Sequence, residues 1–221
     1  MTKTIFQTDE DLDHLLTMTE NSFLDQGFHG TTFESVSHRS RFSIERIQDL
    51  YSSALDLQVA MLNREFARMY QGIVADVERD PRGGLLSRMY TYMFTQVYER
   101  PVARTLYMID RDALHDLMAH QHAKTYVPSV TIHGELTSKL QEAGMIKHDL
   151  DPLIVAASLS VLSGGLALTA PHENLGDIVE KLLGMVGRTF DADVTDTGPG
   201  KIIFYNWATS LDSSIRQPLH R

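Results

Sequence analysis

The sequence predicts an all-α fold in which an N-terminal three-helix helix-turn-helix domain is followed by a larger helical domain. Three observations support this prediction. Apolar residues recur at helical spacing along most of the chain, no alternating strand pattern of useful length precedes residue 200, and prolines and glycines separate the periodic segments. The 221 residues, 43% of them hydrophobic, suffice for one large domain or for a small domain joined to a larger one.

The first helix is predicted to run from about residue 11 to residue 26. Leu15, Leu16 and Phe23 fall on one apolar stripe, and acidic residues at its start suit the positive end of the helix dipole. Gly27 can adopt the left-handed conformation that ends a helix. The Thr-x-x-Glu sequence from residue 31 to residue 34 is typical of a capping box. The stretch GFHGTTFESV therefore predicts the end of one helix and the start of another.

Two short helices are predicted next, at about 33–39 and 44–51. The turn between them spans residues 40–43, and its last residue, Ser43, is a plausible N-cap. Helix, short helix, turn and short helix make the helix-turn-helix pattern. A small core with Leu16 and Phe23 is expected to contain five further residues: Val36, Phe42, Ile47, Leu50 and Tyr51.

The rest of the chain predicts a helical body and a tail. Helices are expected at about 55–77, 85–99, 102–123, 129–143, 151–169 and 174–190. The polar segment 191–201, rich in Gly, Asp and Thr, indicates a linker, and the apolar IIFYNWATSL after it is expected to pack on the body as a helix or strand. The predicted division is 1–53 for the helix-turn-helix domain, 54–190 for the helical body, and 191–221 for a linker and C-terminal tail.

The amino-acid composition excludes several classes of function. The chain has no cysteine, which excludes disulfides and thiolate chemistry, and no apolar run of the ~18 residues that a membrane span needs. Its N-terminus lacks a signal-peptide pattern, so a cytoplasmic location without a membrane partner is expected. The formal net charge of −9 argues against a general attraction to nucleic acid.

Two segments resemble the TetR family of bacterial transcriptional regulators. FLDQGFHGTTFESVSHRSRFSIERIQDLYSSALDLQVAML, residues 23–62, is similar to the family's glycine, Thr-Thr, polar turn and serine-started third helix. LTSKLQEAGMIKHDLDPLIVAASLSVLSGGLAL, residues 136–168, is similar to its glycine turn, Leu-Asp-Pro and Ala-rich helix. The resemblance implies a ligand-responsive regulator, typically a repressor, that binds palindromic operator DNA as a homodimer. It also implies an N-terminal DNA-binding domain and a C-terminal domain for ligand binding and dimerisation.

The third helix is expected to lie in the DNA major groove. Polar side chains there can bind base edges, while arginines and helix-terminal hydroxyls can bind phosphates. Asp49 is also placed on the groove side. The candidate DNA-binding residues are Thr32, Arg39, Arg41, Ser43, Ile44, Glu45, Arg46, Gln48 and Ser53.

The sequence departs from the family pattern in ways that leave two hypotheses open. Arg41 stands where most members have glycine in the turn, Ala54 replaces a usual lysine, and two acidic residues occupy the reading helix. Residues 1–60 contain four basic and ten acidic residues, a balance of −6. Either the protein binds DNA and its acidic charges lie mostly on the first helix, away from DNA, or DNA binding is lost or narrowed and the domain is a protein-interaction module.

The central helices are expected to form a pocket for a hydrophobic small-molecule effector. Methionine and aromatic side chains suit an adaptable apolar cavity; each alone is better explained as core, whereas the set as a whole favours a pocket. The candidate ligand-binding residues are Phe94, Tyr98, Tyr107, Met108, Leu114, Leu117 and Met118.

Neither an enzyme nor a cofactor is predicted. No phosphate-binding glycine loop, nucleophile elbow or supported pair of catalytic carboxylates is found. Possible metal ligands occur together, but they are better explained as exposed polar residues, which leaves a metalloenzyme as a minor alternative. These residues are Asp112, His115, Asp116, His120 and His122.

The last two predicted body helices are expected to form a dimer interface. The helix at 151–169 is apolar nearly all round and needs cover on two sides. Two such helices from each subunit can build a four-helix interface about a twofold axis, whereas burial within one subunit is the alternative. The candidate interface residues are Leu159, Leu162, Gly164, Gly165, Leu182, Leu183 and Val186.

Overall fold

The computed structural model describes residues 9–106, 134–169 and 174–216 and confirms the all-α fold. Within these residues no helix is long and apolar enough to span a membrane. The described helices are α1 (Asp9–Gly30), α2 (Phe33–Ser40), α3 (Ile44–Gln48), α4 (Ala54–Arg79), α5 (Leu86–Glu99), α6 (Pro101–Arg104), α7 (Gly134–Glu142), α8 (Pro152–Thr169), α9 (Leu175–Phe190) and α10 (Gly198–Arg216).

The junction between α1 and α2 lies where the sequence places it, with a different cap. Gly27 has φ 74°, which interrupts α1, and one further helical turn follows it. The capping box is made by Thr32 and Ser35, so the prediction that Thr31 and Glu34 form it is wrong. The extra turn uses the Thr31 hydroxyl, which donates to the Gly27 carbonyl at 2.9 Å, and shifts the cap by one residue.

The core of the N-terminal domain is shared with the first half of α4. Leu15, Phe23, Val36 and Ile47 are fully buried, and apolar side chains of α4 complete the cluster. The buried side chain of Gln58 donates to the carbonyls of residues 28 and 31, at 3.1 and 2.6 Å. Because these carbonyls end α1, α4 is fixed to the helix-turn-helix unit by hydrogen bonds as well as by apolar contact.

The body consists of helices packed on both sides of α5. Helix α5 packs against α4 and α9, while α7 packs against α8. The buried Tyr90 hydroxyl donates to the Leu159 carbonyl at 2.7 Å and also contacts the Ser163 hydroxyl. Burial raises the pKa of Tyr90 to about 12. This hydrogen bond satisfies the one polar atom of a large side chain in the core.

The C-terminal segment contains a helix that packs on the body, which confirms the expectation for IIFYNWATSL, whereas the linker predicted at 191–201 gives way to helix at residue 198. Residues 198–216 form α10, which packs on α4 and α7 with Phe204 fully buried. Lys201 donates to the Glu78 carbonyl at 2.9 Å. A Cβ at Gly200 would collide with the carbonyl oxygen of Gly84. The glycines that suggested a flexible linker instead allow close backbone contact.

The end of α9 also supports the start of α5. The first residues of α5 have no side-chain cap of their own. Asp191 supplies one, because its carboxylate accepts from the Ser87 amide at 3.2 Å and from the Ser87 hydroxyl at 2.5 Å. Burial raises the pKa of Asp191, and the bonds from Ser87 partly offset that rise.

Candidate nucleic-acid interface

The turn between α2 and α3 is held by three serine hydroxyls. Ser37 donates to the Phe42 carbonyl at 2.7 Å, and Ser40 accepts from the Phe42 amide at 3.2 Å. Ser43 caps α3 by accepting from the Arg46 amide at 3.3 Å. These local bonds fix the angle between the two helices, as a helix-turn-helix unit requires.

Arg41 ends α2 in the left-handed conformation, with φ 62°. Its amide donates to the Ser37 carbonyl at 3.0 Å, and its side chain is exposed. Among the described residues it is the one non-glycine residue with positive φ. The position where the family pattern has glycine is therefore one where this backbone favours glycine.

The outer face of α3 is exposed and carries no basic side chain. Ser43, Glu45, Gln48 and Asp49 are exposed there, and Ile44 is half-buried. Leu50, predicted to face the core, is 44% exposed because α3 ends at residue 48 and the chain turns. We call this surface the α3 face.

Arg46 does not belong to the α3 face, which corrects its expected orientation. Its Nη2 donates to the Asp11 carboxylate at 2.7 Å, and its guanidinium carbon lies 4.2 Å from the centre of the Phe42 ring. The side chain is 23% exposed. Arg46 thus packs against the first turn of α1 rather than projecting from α3.

Two acidic side chains of the first helix contact candidate DNA-binding arginines, and the expectation that most of its charges lie away from DNA stays a prediction. Asp11 pairs with Arg46, and Asp25 pairs with Arg39 at 2.8 Å. Within the described part of the chain, Arg41 forms no ion pair, so it is the best placed of the three arginines for a phosphate. Local neutralisation of the other two weakens the attraction to a nucleic-acid backbone.

The carboxylate of Glu45 is stabilised in its charged form by local hydrogen bonds. Hydrogen bonds from its own amide and from the Ser43 hydroxyl lower the pKa of Glu45. An ionised carboxylate accepts hydrogen bonds and cannot donate, so it fits the amino groups of cytosine or adenine and repels phosphate.

The two hydroxyl residues predicted at the margins cap helices. Thr32 accepts from the Ser35 amide at 3.2 Å at the start of α2. Ser53 accepts from the Asp56 amide at 3.1 Å at the start of α4. Helix N-termini attract anions, so both positions suit phosphate contact, and their role in DNA binding stays a prediction.

A charge cluster between α1 and α4 is the feature that sequence reasoning missed. Arg64, 13% exposed, donates at 2.9 Å to Asp13 and to Thr17 and at 2.8 Å to Glu20. Burial raises the pKa of Glu20, the charge of Glu65 raises it further, and Arg64 opposes both. The sequence pattern that could have indicated this cluster is the spacing of residues 13, 17 and 20, which places all three on one face of α1.

The candidate ligand-binding residues are only partly described. Phe94 is half-buried, with its ring centre 5.3 Å from that of Tyr90, whereas Tyr98 is 53% exposed. The others, Tyr107, Met108, Leu114, Leu117 and Met118, lie outside the described residues, as do Asp112, His115, Asp116, His120 and His122. The described part of the chain contains no group of three or more potential metal ligands.

Several candidate dimer residues are buried inside the protomer. Leu159, Leu183 and Val186 belong to its core, and Leu162 and Leu182 are half-buried against Leu166. The role of these five residues in a dimer interface stays a prediction. Gly164 lies within α8, and Gly165 is exposed with open space beside it. The exposed apolar residues of α8 and α9, which we call the α8/α9 face, are Leu153, Ile154, Ala157, Val161, Ile178 and Met185.

Solved structures with the same fold are transcriptional regulators. A TetR-family regulator from Rhodococcus sp. matches with TM-score 0.56 and 19% identity, over 83% of this chain and 100% of its own. A transcriptional regulator from Streptomyces coelicolor matches with TM-score 0.53 and 17% identity, over 81% and 98%. The fatty acid degradation regulator FadR from Bacillus halodurans matches with TM-score 0.53 and 12% identity, over 79% and 97%.

Sequence comparison adds no closer relationship. No protein-family model matches the chain, and no curated protein matches it. The structural likeness extends over nearly the whole of each neighbour. The protein therefore has the fold of the TetR-family transcriptional regulators.

Proposed function

We propose that the protein is a cytoplasmic, ligand-responsive transcriptional regulator, acting as a repressor, that binds palindromic operator DNA as a homodimer. The observation that carries this proposal is the exposed α3 face, presented by a hydrogen-bonded helix-turn-helix turn. The fold shared with transcriptional regulators supports it. In this arrangement Gln48 reads a base edge, and Arg41, Thr32 and Ser53 bind the flanking phosphates.

The α8/α9 face supports dimerisation. Val161 is 75% exposed, and other large apolar side chains of α8 and α9 are exposed as well. A contiguous exposed apolar patch on a globular protein commonly marks a protein interface. A twofold axis through this face would pair the two α3 helices for half-sites roughly 34 Å apart.

The effector is proposed to be a hydrophobic small molecule bound in the body near α5. Phe94 supplies an aromatic wall that is not fully covered by its neighbours α8 and α9. The similarity to a regulator of fatty acid degradation supports an apolar ligand class. Such a ligand would raise the melting temperature and release DNA, and a library of apolar compounds that changes neither would contradict this part of the proposal.

Selection of DNA from a random pool tests the function directly. The purified protein is expected to enrich a palindrome, and light scattering is expected to show a dimer. Substituting Gln48 by Ala should weaken specific binding by about 1–3 kcal/mol. Gln71, exposed on α4 within the body, provides a matched control, since Gln71→Ala should leave binding unchanged.

A second candidate function is favoured by the acidic α3 face. Glu45 and Asp49 are exposed on α3, while Arg39 and Arg46 are neutralised by α1. Such a surface suits a basic protein segment better than a phosphate backbone. If no sequence is enriched and no specific mobility shift occurs at low or moderate salt, the domain is a protein-interaction module that has lost DNA binding.

A further inference from the structure

We propose that Asp11 sets the affinity of the protein for DNA by holding the guanidinium of Arg46. This inference rests on the proposed DNA-binding function. In the protein without DNA, the one arginine of α3 is bound to α1. A DNA phosphate must therefore compete with a carboxylate of the same chain for the guanidinium of Arg46. Asp11 is thus an affinity-determining residue, although it repels DNA itself.

The geometry of the contact carries the proposal. Asp11 lies in the first turn of α1, and its carboxylate accepts from Arg46 Nη2 at 2.7 Å. The Phe42 ring lies under the guanidinium, and the ring of His14 meets Phe42 edge-on with centres 5.8 Å apart. The guanidinium is therefore held on two sides, by a charge from α1 and by a ring from the turn.

The chemistry of arginine makes the competition direct. A guanidinium binds carboxylates and phosphates through the same N–H groups, so Arg46 cannot fully satisfy both. The Arg46 side chain is partly exposed at the edge of α3, where a phosphate flanking the recognised bases would pass. Removing Asp11 takes away the carboxylate that accepts from Arg46 Nη2 and alters no residue of the α3 face.

Glu10 provides a matched control within the same turn. It is exposed next to Asp11 and carries the same charge at the same helix end, and within the described residues it forms no ion pair. Glu10→Ala and Asp11→Ala each remove one negative charge near DNA. Only Asp11→Ala also releases Arg46.

The test is the salt dependence of DNA binding by the full chain, measured by fluorescence anisotropy on the selected palindrome and on a random duplex. One new phosphate contact steepens the slope of log K against log salt by about 0.9 per subunit, which is about 3.5-fold per subunit between 50 and 200 mM salt. Asp11→Ala is expected to show this steeper slope and tighter binding at low salt. Glu10→Ala is expected to bind slightly tighter with an unchanged slope.

The double variant Asp11→Ala/Arg46→Gln separates release of Arg46 from loss of charge. It is expected to return the slope to that of the parent protein. Equal slopes for Asp11→Ala and Glu10→Ala, or an effect of Asp11→Ala that survives loss of Arg46, would overturn the inference while leaving DNA binding intact. Absence of binding to either duplex by every variant would overturn the proposed function together with this inference. Circular dichroism melts confirm that each variant is folded.

Discussion

Replacing Arg41 by glycine is expected to stabilise the protein. Arg41 holds φ 62° at the end of α2, a conformation that glycine adopts without a steric penalty. Its amide bond to the Ser37 carbonyl does not depend on the side chain. Since the side chain is exposed and forms no ion pair within the described residues, little contact energy is lost.

The expected gain in stability of Arg41→Gly is the difference between two opposing contributions to the free energy of unfolding. A left-handed conformation costs an L-residue about 1–2 kcal/mol, and the extra freedom of glycine in the unfolded chain costs about 0.4–1 kcal/mol. The difference leaves a gain of about 0.5–1 kcal/mol. For a protein of this size, such a gain raises the melting temperature by about 1–4 °C.

Thermal unfolding followed by circular dichroism, at one fixed protein concentration, measures this gain. Arg41→Ala is the control, because it removes the charge and keeps the Cβ that causes the strain. We expect Arg41→Gly to melt above both Arg41→Ala and the parent protein. If the glycine variant melts at or below the alanine variant, the left-handed turn does not store the strain assigned to it.

Three further predictions follow from the described contacts. Because burial raises the pKa of Glu20 above its ordinary value of 4.5, the folded state binds more protons there than the unfolded state, and this contribution to stability falls as pH rises from 4.5 through the raised pKa. The stability of the parent protein relative to Glu20→Gln, from urea titrations, should therefore increase as pH is lowered from neutral through the raised pKa towards 4.5. Val161→Glu, on the α8/α9 face, should give monomers by light scattering, whereas Tyr205→Glu, at an exposed apolar position on α10, should leave the dimer intact. A dimeric Val161→Glu protein would exclude this face as the interface. Gly200→Ala should lower stability by about 1–3 kcal/mol in urea titrations, because the new methyl group would press against the backbone of Gly84, and a neutral effect would show that α10 can shift to accommodate it.

Local patterns predicted most of the helices, because the periodicity of apolar residues and the positions of glycine and proline act over a few residues. Gly27 ends a helical segment as expected. The orientation of Arg46 could not be predicted in this way. It depends on how α1 crosses α3, and residues 35 positions apart in sequence carry no periodic signal for their pairing. The same reason hid the contacts that Arg64 makes with α1.

At the start of the C-terminal helix α10, the local sequence pattern was misleading. Its first residues, 198–201, include two glycines, which lower helix propensity and resemble a linker in composition. In the fold, Gly200 is needed for close approach to Gly84, so a tertiary contact overrides the local preference. At the candidate interface, the exposure of Ser43, Glu45 and Gln48 on a short helix followed from the sequence, whereas the pairing of Arg39 and Arg46 with α1 required the packed structure.

The bond from Lys201 to the Glu78 carbonyl has a mechanical consequence for α4. This bond anchors the far end of a 26-residue helix, whose near end is tied to the helix-turn-helix unit by Gln58 and Arg64. A rigid helix that is fixed at one end can move mainly at its other end. Any ligand that bends or tilts α4 would therefore move mainly the N-terminal end of this helix, to which α2 and α3 are attached.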